Sequence, residues 1–359
     1  MDRFERQILL PGFGKEGQEK LSRSSVLLIG AGGLGCPILL YLAAAGIGKI
    51  GLVDGDVVSV SNLNRQVIYG EKDLGRKKVE VAAGHIQGKY RDLSIDQFAE
   101  FITPQNALKI IGDYDLVIDG SDNFATRYLV NDACVLLGKP LVFGAIYQYE
   151  GQVSVFNHRE NSVNYRDLFP EPPALGEVPN CAETGVLGVL PGTIGTLMAA
   201  EAIKVISGLG KVLSGRVLFF NSLSAQSFEV SISPNPDARK QMPASKEEFE
   251  NLDYEFMCEG VREKDWEQAL SQLSEEAVLV DVREEGEFPL LEDFSHVKLP
   301  LSEIQKGLGL SGRKKEAWLF CQSGVRSKKA ALLLQGLEPT LKIYSVRGGI
   351  LAFPSSKKE

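Results

Sequence analysis

Cysteine is scarce and scattered in this chain. Cys36, Cys134, Cys181, Cys258 and Cys321 are far apart, and no C-x-x-C pair occurs. That odd, scattered set fits a reducing compartment better than a disulfide framework, so a cytoplasmic location is expected. The three histidines, His85, His158 and His296, stand alone, and no zinc-ligand cluster is visible. Positive charge is not in excess. A net charge of −8 and a pI near 5.2 argue against nucleic acid or an anionic membrane as the main partner. The opening residues, Met1-Asp2-Arg3-Phe4-Glu5-Arg6, carry charges first and do not read as a signal peptide. The uncharged run 24–48 is broken by glycines and Pro37, so it parses as strand, turn and helix rather than a membrane span. There is no G-x-x-x-x-G-K-[ST] loop, which disfavours a P-loop ATPase or kinase, and no internal repeat.

Gly30-Ala31-Gly32-Gly33-Leu34-Gly35 follows the apolar run 26–29 and opens a stretch of small residues, with Asp54 ending the next apolar run. Strand, glycine turn, helix and acidic residue in this order point to a nucleotide. The turn lets backbone approach phosphate, the helix offers free N–H groups, and the carboxylate reaches ribose hydroxyls. Strands are expected at 26–29, 49–53, 116–119 and 140–144, with helices at 36–45, 77–85 and 125–137 between them. This alternation implies a parallel sheet with helices on both faces, an α/β fold of Rossmann-like kind. Strand patterns at 152–157, 216–221 and 227–231, around a helix at 193–207, make the sheet mixed. The proline- and acid-rich loop 170–177 is a candidate lid.

The stretch 231–259 is rich in proline and charge, like a linker. Two domains are expected, at 1–245 and 261–359, joined by a linker at 246–260. The second reads as a small α/β domain, with a helix at 264–273 before a strand at 277–282.

Further motifs follow the glycine turn. They are Asp54-Gly55-Asp56, Ser61-Asn62-Leu63-Asn64-Arg65-Gln66, Gly75-Arg76-Lys77-Lys78-Val79, the run Asp119 to Arg127, and Gly144-Ala145; Arg3-Phe4-Glu5-Arg6-Gln7 stands near the start. The set suits a triphosphate. Attack on an α-phosphate needs cations, which Arg65, Lys78 and Arg6 supply, and a carboxylate for Mg²⁺, which Asp122 supplies. Taken singly, Arg65 reads as a surface ion pair, Lys78 as a solvated face and Asp122-Asn123 as a helix cap.

Together these motifs resemble the ubiquitin-like-protein activating enzymes, in their MoeB/ThiF branch, over residues 1–258. The resemblance implies Mg-ATP-dependent adenylylation of the C-terminal Gly-Gly of a ubiquitin-like sulfur carrier. It assigns ATP contacts to Gly30, Gly32, Gly33, Gly35, Asp54, Asp56, Ser61, Asn62, Asn64, Arg65, Lys78, Asp122 and Asn123. Asp122 becomes the Mg²⁺ ligand, and Arg6 is expected to act in a neighbouring subunit's site, which makes a homodimer. Cys181 matches the loop cysteine of this family. It either accepts the activated carboxylate or exchanges with a sulfur donor, or it is a loop thiol without chemistry. Many relatives place a C-x-x-C where Asn164 and Asp167 stand, and another after Asn235-Pro236. With neither present, no zinc is expected, and 230–250 should be held by packing alone or be mobile.

A second constellation lies near the end. Cys321-Gln322-Ser323-Gly324-Val325-Arg326-Ser327 follows an apolar strand and leads into a helix. Backbone N–H groups and a helix N-terminus around the cysteine stabilise a thiolate or persulfide, and Arg326 adds a cation. With Val280-Asp281-Val282-Arg283-Glu284 and the run Tyr344 to Phe353, this loop resembles a rhodanese. Cys321 is then the persulfide carrier, while His296 reads as packing. The expectation for the whole chain is an adenylyltransferase joined to a sulfurtransferase. It would yield a carrier thiocarboxylate for molybdopterin or thiamin synthesis, with an upstream donor such as a cysteine desulfurase. An NAD-dependent oxidoreductase leaves Arg65, Lys78, Asp122 and Cys321 without roles. A carrier-binding scaffold with sulfurtransferase activity only is the remaining alternative.

Overall fold

The computed structural model describes residues 3–159, 162–173, 185–271, 276–291, 294–309 and 314–354. They form two compact units, divided between Leu252 and Asp253. Among the described residues no helix is long and apolar enough to cross a membrane.

The first unit is built on one mixed sheet. β1 (Ser25–Ile29), β2 (Lys49–Val53), β3 (Ser94–Phe98), β4 (Leu116–Asp119) and β5 (Leu141–Tyr147) run parallel in the order β3-β2-β1-β4-β5. β6 (Glu150–Phe156), β7 (Arg216–Asn221) and β8 (Gln226–Ser231) extend it antiparallel beyond β5. The central strands read as unbroken apolar runs because both their faces are covered, and Val26, Leu27, Leu28 and Ile118 are fully buried. Helices α1 (Glu5–Ile8), α2 (Gly14–Arg23), α3 (Gly35–Ala45), α4 (Lys78–Gln87), α5 (Pro104–Gly112) and α6 (Phe124–Leu137) precede β5. α7 (Tyr165–Leu168), α8 (Leu190–Ser207), α9 (Pro236–Arg239) and α10 (Lys246–Asn251) follow β6. Alternation alone does not reveal β3: Ser94-Ile95-Asp96-Gln97-Phe98 holds two large apolar residues, and the strand pairs only with β2 at the sheet edge.

The 246–260 segment, linker-like in composition, carries two helices, and the division between the units falls between them. α10 packs on α5 and α6 of the first unit. Ser245 caps it by accepting from Glu248 N–H (3.2 Å), and Phe249 is fully buried.

The expectation that 230–250 is held by packing alone, or left mobile, is corrected by a polar clamp. The Asp167 carboxylate accepts from Asn235 N–H (2.6 Å), Asn164 N–H (2.8 Å), Arg239 Nε (3.1 Å) and Arg239 Nη2 (2.7 Å). Burial alone would raise its pKa, but these donors, Arg239 foremost, hold the carboxyl below the usual range. Beside it Arg166 makes a buried two-point pair with Asp132 of α6 (2.9 and 2.7 Å). Removing either member of such a pair costs about 3–5 kcal/mol, because a charge stays buried without its partner.

The second unit is a five-stranded parallel sheet in the order β11-β10-β12-β13-β9. The strands are β9 (Arg262–Lys264), β10 (Ala277–Asp281), β11 (Val297–Lys298), β12 (Glu316–Phe320) and β13 (Lys342–Val346). The two-residue period of β12 feeds both faces. Ala317 and Leu319 join one cluster with Val280 and Leu334, while Trp318 and Phe320 join another with Trp266 and Leu279. Helices α11 (Tyr254–Glu259), α12 (Trp266–Ser271) and α13 (Val325–Leu337) complete the unit.

Candidate active site

In the first unit the order of strands reverses between β1 and β4: from β1 the chain builds out to β2 and β3, then returns to the other side. The carboxyl ends of β1 and β4 diverge there, where open α/β sheets bind ligands. A cleft of about 960 Å³, counting its open mouth, lies at these ends. Its floor is the glycine turn. Gly30 adopts φ +92°, and a Cβ at Gly35 would fall 2.0 Å from the Gly30 carbonyl oxygen, so the turn is this tight only because both are glycine.

A chain of polar contacts braces the turn from the β2 side. Asp54 Oδ2 accepts from Ala31 N–H and Oδ1 from Asp56 N–H (both 2.8 Å). Lys78, at the start of α4 and 6% exposed, donates to Asp56 Oδ2 at 2.9 Å and lies 4.0 Å from Asp54 Oδ2. Burial raises the Asp54 pKa, opposed by Lys78 and by the Asp56 and Ala31 N–H groups. Tyr69 O–H donates to Ala31 C=O at 2.8 Å.

Gly30, Gly32, Gly33, Asp54, Asp56, Arg65, Lys78, Asp122 and Asn123 of the expected set line this one cleft. Gly35, Ser61, Asn62 and Asn64 are not in its lining, and their contacts are local. Asn62 Oδ1 accepts from Ser59 N–H (3.3 Å), Ser61 Oγ meets Ser59 Oγ (3.0 Å), and Asn64 Oδ1 with Ser61 C=O orients the Arg65 guanidinium (3.1 and 2.7 Å). Asn123 caps α6 by accepting from Thr126 N–H at 2.8 Å, as an isolated reading of that residue anticipates. Asp122 differs: it is exposed at the cleft and makes no hydrogen bond or ion pair with the described residues. Arg6 is exposed on α1, outside the cleft lining. Cys181 lies outside the described residues, as do residues 174–177 of the candidate lid.

The cleft also uses residues not singled out as contacts. Gln66 is 4% exposed, and among the described residues its Oε1 has no hydrogen-bond partner; Arg127 Nε is likewise buried and without a partner among them. Both line the cleft, with Phe101, Ile102 and Ile146. Orphaned polar atoms at a cleft wall fit a site that a polar ligand completes. Gln66 and Arg127 stand inside the quoted motifs, so motif position was the available signal; Phe101 and Ile102 follow β3 and carry none.

In the second unit Cys321 follows β12 at the carboxyl end of the parallel sheet and is 1% exposed. Gly324 N–H reaches its Sγ at 3.1 Å, and Gly324 takes φ +96°. Ile350 N–H donates to Cys321 C=O at 2.7 Å. A Cβ at Gly349 would lie 2.4 Å from that same carbonyl oxygen, so the Gly348-Gly349 turn is fitted against the cysteine loop. Among the described residues one N–H on the sulfur, rather than a ring of them, is the observed contact. Arg326 is not a free cation: its two terminal nitrogens bond the Glu287 carboxylate at 2.6 and 2.5 Å. Asp281, the last residue of β10, and Arg283 form a buried two-point pair (2.9 and 2.9 Å). His296 Nδ1 bonds Phe294 C=O at 2.9 Å and its ring packs on Phe320, a packing role.

The sheet order and the braced glycine-turn cleft define the first unit as an α/β protein of Rossmann type. The ThiF family matches residues 4–241. A "Sulfur carrier protein adenylyltransferase" of Thermus thermophilus is 51% identical over 265 residues, covering 72% of this chain and 96% of the relative. A "Probable adenylyltransferase/sulfurtransferase MoeZ" of Mycobacterium tuberculosis is 41% identical over 372 residues, covering 98% and 92%. A crystal structure of E. coli MccB with ATP shares the fold at TM-score 0.57 and 21% identity, covering 66% of this chain and 73% of that one. The chain belongs to the ThiF family.

Proposed function

We propose that the first unit uses ATP to adenylylate the C-terminal glycine of a ubiquitin-like sulfur carrier, and that the rhodanese-like second unit supplies sulfur through a Cys321 persulfide. The observation that carries the first step is the cleft itself, which gathers Arg65, Lys78 and Asp122, unpartnered among the described residues, around a glycine turn at the switch point of the sheet. The names of the relatives, an adenylyltransferase of sulfur carriers and an adenylyltransferase/sulfurtransferase, support both steps.

The carrier carboxylate attacks the α-phosphorus of ATP, an acyl-adenylate forms, and pyrophosphate leaves. Asp54 would hold the ribose hydroxyls, while Arg65 and Lys78 would offset charge on the phosphates. A single exposed carboxylate with no competing bonds fits Mg²⁺, which takes one or two carboxylates and completes its shell with phosphate oxygens and water. Asp122 would hold it, and the bound ion would neutralise phosphate charge. Arg6 would act in the cleft of a second copy, making the working form a homodimer. The Cys321 persulfide then attacks the acyl carbon and AMP leaves, giving a carrier–Cys321 acyl disulfide. A second thiol, Cys181 being one candidate, cleaves it to the thiocarboxylate and a new disulfide. The location would be cytoplasmic, the donor a cysteine desulfurase, and the product a sulfur source for molybdopterin or thiamin synthesis.

ATP–pyrophosphate exchange with candidate Gly-Gly carriers tests the first step, with Asp122→Ala as control. Exchange that requires both carrier and Asp122 supports adenylylation, and the preferred carrier identifies the pathway. ATP binding without exchange for any carrier would leave a scaffold whose chemistry is confined to Cys321.

A further inference from the structure

The mouth of the Cys321 loop carries a charge arrangement that bears on which sulfur donor it accepts. Within Cys321 to Ser327, Arg326 is the single cation. It lies within electrostatic reach of Cys321, yet both arms of its fork are taken by Glu287. Glu287 is itself fixed from behind, because its Oε1 accepts Glu284 N–H at 2.8 Å. The neighbouring cations are tied in the same way. Lys328 pairs with Glu263 at 3.1 Å, and Arg347, just before the Gly348-Gly349 turn, pairs with Glu255 and Glu263. Among the described residues, the loop's own cation, Lys328 and Arg347 are therefore compensated before a sulfur donor arrives.

A small dianion such as thiosulfate needs uncompensated positive charge to be held against a thiolate. A persulfide on a cysteine carries at most one charge on its sulfur and can be positioned by the surface of its own protein. We propose that Glu287 sets the donor specificity of Cys321, cancelling Arg326 so that the loop takes its sulfur from a protein-borne cysteine persulfide and discriminates against thiosulfate. The inference rests on the reading of Cys321 as a sulfur carrier. In either reaction the Cys321 thiolate attacks the outer sulfur of the donor and a Cys–S–S⁻ bond forms. The donor S–S bond breaks, and its electron pair leaves with the donor thiolate from a persulfide or with sulfite from thiosulfate. Glu287 is a specificity residue acting through Arg326, with no contact to the sulfur required.

The full-length protein is loaded with cysteine persulfide or with thiosulfate, and persulfide on Cys321 is followed by mass spectrometry, with thiocyanate formation as the turnover readout. Wild type should load readily from cysteine persulfide and poorly from thiosulfate. Glu287→Gln should raise kcat/KM for thiosulfate on the order of tenfold, mainly through KM, since one freed cation acts on a dianion in a half-exposed mouth. Loading from cysteine persulfide should change little. Adding Arg326→Gln to that variant should cancel the gain, which a merely structural role for Glu287 would not do, and cysteine persulfide loading of both variants reports that the loop is intact. An unchanged thiosulfate constant in Glu287→Gln, with normal loading from cysteine persulfide, would overturn the proposal alone. Failure of wild-type Cys321 to accept sulfur from cysteine persulfide would overturn both this proposal and the sulfur-carrier reading beneath it.

Discussion

Both units carry their candidate site residues at the carboxyl ends of parallel strands, yet they leave their charges in opposite states. Among the described residues, the first keeps a carboxylate, Asp122, exposed and unpartnered at an open cleft, and leaves Gln66 Oε1 and Arg127 Nε without partners in its wall. The second encloses Cys321 to 1% exposure and pairs the cation of its loop with Glu287. An open, incompletely satisfied cleft suits a highly charged small substrate that brings its own partners. A closed, neutralised loop suits chemistry on one sulfur atom, where stray anions have to be kept out. The units also differ in how their margins are held: the first ends in a buried polar clamp and the anchor Phe249, not in a loose tether.

The largest test of this contrast separates the chemistries. Cys321→Ala should abolish persulfide loading while leaving carrier-dependent pyrophosphate exchange intact. Loss of both would mean that the units do not divide the work. Next, Asp122→Ala should lower exchange on the order of a hundredfold or more, as expected when a group acting on developing charge is removed. Because Asp122 makes no bond within the described residues, the melting temperature should stay put, and a large drop would assign it a structural role instead.

Stability changes come after activity changes. Phe249→Ala should cost about 3–5 kcal/mol, the usual loss for a fully buried aromatic. A chain ending at Leu252 should then be more stable than one ending at residue 245. Equal melting temperatures would return 246–252 to the linker. Arg239→Ala, which takes two donors from the buried Asp167 carboxylate, should cost about 1–3 kcal/mol. A chelator should leave the wild-type melt unchanged if this clamp, and no metal, closes the segment.

The smallest effect concerns acid. Arg326, through its hydrogen bonds, holds the Glu287 carboxyl at about 2, below its ordinary 4.5. A depressed carboxyl contributes its stability above the unfolded-state value and loses it as the pH falls through the folded one. The difference in unfolding midpoint between wild type and Glu287→Gln should therefore be constant above about pH 5 and vanish towards pH 2. A difference that persists there would mean that Glu287 acts through packing rather than charge.

How much was legible follows from range along the chain. The glycine turn, Asp54, Lys78, Asp122 and the Cys321 loop are each readable because a handful of neighbouring residues makes the strand, turn and helix that present them. Strands β2, β4 and β7 fall on the residues expected for them. β3 and α10 do not announce themselves, one being a polar edge strand and the other lying in a charged, proline-bearing stretch. The cap made by Asn123 was legible as the ordinary habit of that residue type at a helix start, whereas the local bonds of Asn62 to Ser59 and of Asn64 to Arg65 were not.

The amino-acid sequence by itself determined the α/β alternation, the mixed sheet, the glycine turn with its acidic partner, and a cysteine placed between strand and helix. These are written in hydrophobic period and in turn chemistry, both of which act over a few residues. Only the tertiary structure decided which charges are available. Asp167 meets Arg239 across 72 positions and Glu287 meets Arg326 across 39, while Asp122 bonds none of the described residues. Ion pairing depends on distances of a few ångströms between side chains carried on different elements. No local pattern encodes that distance; it exists only once the sheet has brought the elements together.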